Sequence, residues 1–166
     1  MSQGKQTQSK QIQGRQTMTL GPFRVCPDGA LEPVSGDPEP KFTYRWRNRT
    51  VHVSMLPGDR PDWRLQMRTP LTRMPSSARA SEGGRRQAAF ALLRDLPGTM
   101  PEGWSIGLTA DHRVVLEAER HAKLPLTATS LISEITLFLL ALSPYLDVFD
   151  EAGLPALPDV SGTART

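Results

Sequence analysis

The chain carries a single cysteine, Cys26, in 166 residues. That excludes an internal disulfide and any zinc site built on several cysteines. It fits a reducing compartment. Cys26 has no neighbouring base in sequence and reads as an inert thiol. Histidine is nearly as scarce: His52, His112 and His121 show neither HxH nor HExxH spacing. No two rings are therefore set on one metal by local sequence. The glycine-rich phosphate loops and the GxSxG nucleophile elbow are missing too. Long apolar runs are absent. The cleanest, residues 137–142, lies between Glu134 and Pro144, well short of the roughly 18 residues a membrane span needs. The first twenty residues lack the apolar segment of a secretory signal. These absences point to a cytoplasmic, non-enzymatic protein with no cofactor, no metal site and no membrane partner.

What is present is an uneven distribution of charge. The net charge of +3 divides into a basic block over residues 41–94, with twelve bases and three acids, and an acidic block over residues 95–166, with four bases and ten acids. The blocks can neutralise each other within the fold or across a dimer. Residues 1–17 hold six Gln and almost no apolar side chains. Such a segment cannot bury enough surface to offset its ordering entropy and reads as disordered. Met18 is a candidate true start. The length suits one domain, over residues 18–153, with a C-terminal tail over 154–166.

Residues 21–34 read as a short hairpin around a Pro27-Asp28-Gly29 turn. Residues 35–40 are a linker rich in Pro and Gly. Phe42, Tyr44 and Trp46 alternate with polar residues, as do Val51, Val53 and Met55, and Arg47-Asn48-Arg49 connects the two strands. A third strand follows a turn at residues 57–59, with Trp63, Leu65 and Met67 on one face. Residues 70–84 read as a mobile loop with a short partner strand at 72–74. A short helix is expected over residues 85–96, a second hairpin over 104–108 and 113–118, and a long helix over 127–151. On the long helix Leu131, Ile135, Phe138, Leu142, Leu146 and Phe149 share one face at spacings of three and four. Thr127 or Thr129 caps it, and Pro144 is expected to kink it. Runs of adjacent strands imply antiparallel pairing. The expected fold is α+β: a sheet of about five to seven strands with one short and one long C-terminal helix on one face.

Two surfaces stand out as candidate sites. Alternation puts Lys41, Arg45, Arg47, Arg64 and Arg68 on one side of the sheet, where arginine can grip phosphate or carboxylate. Tyr44, Trp46 and Trp63 fall on the opposite side, which disfavours base stacking and hence a nucleic-acid reader. Glu117 and Glu119 share a strand face and suit cross-strand ion pairing with those bases. On the long helix, Leu137, Leu140 and Tyr145 widen the apolar arc beyond one sheet contact. Deep burial and a homodimer or partner interface are both consistent with that width.

From Arg85 onward the pattern AAFALLRDL, the hairpin WSIGLTADHRVVLEAE, the LPL link at 124–126 and the long closing helix resemble the class I chaperones of bacterial type III secretion and the related YbjN-like domains. The resemblance covers about half the chain. It implies a small α+β domain that dimerises and holds an unfolded stretch of another protein on apolar patches. This chain departs from the family in its early strands and its basic pI. The expected function is protein binding of a chaperone-like kind; the alternative is a nucleic-acid module using residues 41–68.

Overall fold

The computed structural model describes residues 18–34, 36, 38–57 and 63–157. The Gln-rich segment 1–17, residues 35 and 37 of the linker, the turn positions 58 and 59 and the last residues, 158–166, lie outside the described residues. The fold is α+β, with eight strands among the described residues and two α-helices. The strands form two antiparallel sheets rather than one. β1 (Thr19–Leu20), β2 (Phe23–Val25) and β3 (Leu31–Pro33) make a small meander. β4 (Lys41–Trp46), β5 (Arg49–Pro57), β6 (Trp63–Arg73), β7 (Trp104–Leu108) and β8 (Arg113–Ala122) make the main sheet, ordered β4-β5-β6-β8-β7.

One face of the main sheet is apolar because every strand alternates in the same register. Val51, Val53, Met55, Leu65, Met67, Leu116 and Ala118 all point to it. They meet Leu131, Phe138, Leu142, Leu146 and Phe149 of the long helix, α2 (Ala128–Glu151). Each such side chain contributes about 1.5–3 kcal/mol on burial. Ala89 of α1 (Gly83–Asp95) joins the same core, with Leu92 and Leu93 partly buried. Phe42 and Tyr44 pack against this core, while Trp46 at the strand end is 37% exposed.

α2 is fixed at its start by local chemistry. Thr127 Oγ1 accepts from the Ser130 amide at 3.1 Å, and Ser130 Oγ accepts from the Thr127 amide at 3.0 Å. This reciprocal cap satisfies two orphan donors. The meander adds backbone bonds from the Leu31 amide to the Leu126 carbonyl and from the Ala128 amide to the Gly29 carbonyl. α2 runs through Pro144 as one uninterrupted helix. By length and composition it also meets the requirement for a membrane span, which the short apolar runs of the sequence had hidden. Its five buried side chains belong to the core described above.

Two segments differ from the sequence reading. Residues 70–73 are not a loop but the end of β6. Pairing with β5 stops at His52 opposite Arg68, so Pro70 lies where β6 is paired with β8. A missing N–H is tolerated on such a stretch, beside the bulge at Leu71. The chain after α2 does not fray at once: Leu154 is buried, and the Pro155 carbonyl accepts from Thr72 Oγ1 at 2.9 Å.

Truncating Leu142 to Ala is expected to cost about 2–5 kcal/mol by chemical denaturation. A loss below about 1 kcal/mol would mean that this face of α2 is not in the core.

Candidate functional site

The outer face of the main sheet is polar and exposed, as alternation predicts. Lys41, Arg45, Arg64 and Arg68 stand on it. Arg68 pairs with Glu117 at 3.0 Å and Arg64 with Glu119 at 3.8 Å, each across the β6–β8 ladder. Gln66 adds a hydrogen bond to Glu119 at 3.4 Å. Lys41 pairs with Glu39 at 3.1 Å, and Arg45 is engaged as well. The expected basic face is therefore largely a neutralised one, and the expected cross-strand pairing of Glu117 and Glu119 is present. Exposed pairs of this kind contribute roughly 0–1 kcal/mol each. A hollow of about 450 Å³ lies on this face, among His52, Arg68, Asp111 and Arg113, with Val115 at its floor.

Arg47 does not belong to that face. Arg47 and Asn48 have φ of 47° and 59° and form a two-residue turn, the geometry that matches strand twist. The turn takes Arg47 off the ladder and toward the end of α2. Its Nη2 lies 2.6 Å from Asp147 Oδ1 and 3.6 Å from Asp150 Oδ2. Hydrogen bonding to Asp147 raises the Arg47 pKa further.

Arg49 was read only as part of the connection, yet it is the most deeply buried charge among the described residues, at 3% exposure. It pairs directly with Trp46, so it shares the core face with Val51 and Val53. Its Nη2 donates to Asp150 Oδ1 at 2.7 Å, and its Nε donates to the Leu71 carbonyl at 3.3 Å, beside the bulge. α2 has no basic residue in its last turn. Arg47 and Arg49 supply the positive charge that the carbonyl end of a helix dipole and its two aspartates require. The signal was in the sequence: Arg49 has the same parity as Val51, Val53 and Met55.

The α2 candidates separate. Leu137 and Leu140 are 53% and 64% exposed, and Ile132 is 53% exposed. Tyr145 is used inside the domain: its hydroxyl donates to the Thr99 carbonyl at 2.9 Å, and its ring lies 5.9 Å from that of Trp104.

Among the described residues no group of three or more His, Cys, Asp or Glu is placed to hold a metal ion. Burial, with Glu32 and Asp28 nearby, pushes the Cys26 thiol up, which lowers its thiolate fraction. The Tyr44 hydroxyl is buried with no hydrogen-bond partner among the described residues, and burial pushes its ionisation well up.

Asp150→Ala is expected to cost about 2–4 kcal/mol, because it strands the buried Arg49 charge. Asp147→Ala, which removes an exposed pair, is expected to cost under about 1 kcal/mol. Urea denaturation of the two variants checks the order, and equal costs would contradict it.

No protein-family model matches the chain, and no curated protein sequence matches it.

Proposed function

We propose that this chain is a non-enzymatic, cytoplasmic protein-binding domain of chaperone-like type, and that it binds through the outer face of α2, first to a second copy of itself. The observation that carries the reading is the exposure of Ile132, Leu137 and Leu140 on a helix whose other face is core. Exposed leucines grouped on one helix face are commoner at interfaces than on free surface.

Charge supports a second copy as the occupant. α2 has no acid in its first turn and no base in its last; at its C-terminal end Asp147 and Asp150 are paired with Arg47 and Arg49, and the exposed Glu151 stands outside those pairs. Two such helices crossing antiparallel at Leu137 and Leu140 bring the acidic end of each to the positive end of the other's dipole. A two-fold interface is self-complementary in this way. The chaperone-like part of the reading rests on the same apolar surface. Nucleic-acid binding through residues 41–68 has less support, since Lys41, Arg47, Arg64 and Arg68 are ion-paired and Arg45 is engaged.

Light scattering after size exclusion is expected to give twice the chain mass for the native protein. The Leu137→Asp, Leu140→Asp double variant is expected to give one chain mass with unchanged circular dichroism. A native protein that stays monomeric at high concentration would overturn the reading.

A further inference from the structure

A cleft of about 740 Å³ opens where the end of β6, the β7–β8 turn, the first turn of α1 and the chain after α2 meet. Arg73, Arg79, Arg85, Arg86, Arg113 and His112 line it, against one acid, Glu82. Glu82 is already committed. It accepts the Ser76 amide at 2.7 Å and pairs with Arg79 at 3.4 Å, and these contacts hold its carboxyl below the usual range. Arg113 pairs with Asp111 at 2.7 Å.

Among the described residues Arg73, Arg85 and Arg86 have no acid within ion-pair distance, and only longer-range attraction reaches Arg73 from Asp111 and Arg85 from Glu82. Arg86 donates to the Pro75 carbonyl at 2.8 Å and lies 5.0 Å from the centre of the Phe90 ring, which orients it without neutralising it. Arg73 also stands directly opposite Arg113 on the β6–β8 ladder. Like charges in that position oppose folding. Asp111 offsets part of this repulsion, through its pair with Arg113 and its longer-range attraction to Arg73, and an anion in the cleft would offset more. The remaining wall is apolar, with Met74 and Leu154 buried and Leu157 half-buried.

We infer that this cleft binds a small phosphorylated molecule, its phosphoryl oxygens held by Arg73, Arg85 and Arg86 and its body laid against Met74, Leu154 and Leu157. A single carboxylate would leave most of the positive charge uncompensated, whereas a phosphoryl group carries enough charge and matches the guanidinium fork. The volume lies within the roughly 300–1,000 Å³ of small-ligand sites, which favours a compact ligand over a nucleic-acid strand. The site is remote in sequence from Ile132, Leu137 and Leu140, and it does not rest on the dimer.

Inorganic pyrophosphate and adenosine diphosphate, titrated calorimetrically into the full chain at low ionic strength, test it. Saturable binding of at least one probe, one per chain, is expected. Arg73→Ala and Arg85→Ala are each expected to weaken it about tenfold or more. Arg68→Ala, on the outer sheet face, is expected to leave it unchanged. Both cleft arginines are exposed, and thermal melts confirm that each variant is folded. No saturable binding of either probe, or equal binding by the Arg73→Ala, Arg85→Ala double variant, would overturn the proposal. So would tighter binding of a single-stranded DNA oligonucleotide that the same variants abolish.

Discussion

The rest of the structure depends on how α2 is seated on the main sheet. Five of its side chains are core, and they face a sheet surface that is apolar from β5 to β8. Burial fixes which face of the helix points inward, but a smooth apolar contact does not by itself fix where the helix stops. Directional bonds at its two ends do that. At the start, the Thr127–Ser130 cap and the backbone bonds to Leu31 and Gly29 hold it. At the finish, Arg49 bonds Asp150 and the Leu71 carbonyl together. A buried arginine is costly unless every contact is met, so this clamp penalises any shift of α2 along the sheet.

That seating decides what the surface offers. With Leu131, Phe138, Leu142, Leu146 and Phe149 turned inward, Ile132, Leu137 and Leu140 are turned out. The bulge at Leu71 that Arg49 supports also lets β6 run on to Arg73, opposite Arg113. The chain leaving α2 is tied to Thr72 through Pro155, which builds the apolar wall of the arginine-lined cleft. The helix ridge and the cleft are thus consequences of one packing arrangement.

Much of the fold was legible because it rests on periodicity. The α2 face was visible in its three- and four-residue spacing, and the strands in their alternation. What was not legible depended on places where a period is interrupted. Arg47 alternates with Arg45 on paper, but a two-residue turn at positive φ removes it from the ladder. Pro70 reads as a loop signal until the pairing shows that the β5–β6 ladder has already stopped at His52 opposite Arg68. Leu154 reads as tail because nothing local announces its burial. The cleft could not be read at all: Arg73, Arg85, Arg86 and Arg113 come from three separate elements, and only the tertiary fold brings them together.

Native-state hydrogen exchange followed by mass spectrometry tests the seating of α2 most directly. If α2 is an integral layer of the core, its amides from Leu131 to Phe149 exchange only as slowly as those of β5 and β6, through global unfolding. If those amides exchange through a separate, lower-energy opening while β5 and β6 remain protected, α2 is not what holds the sheet, and the account fails.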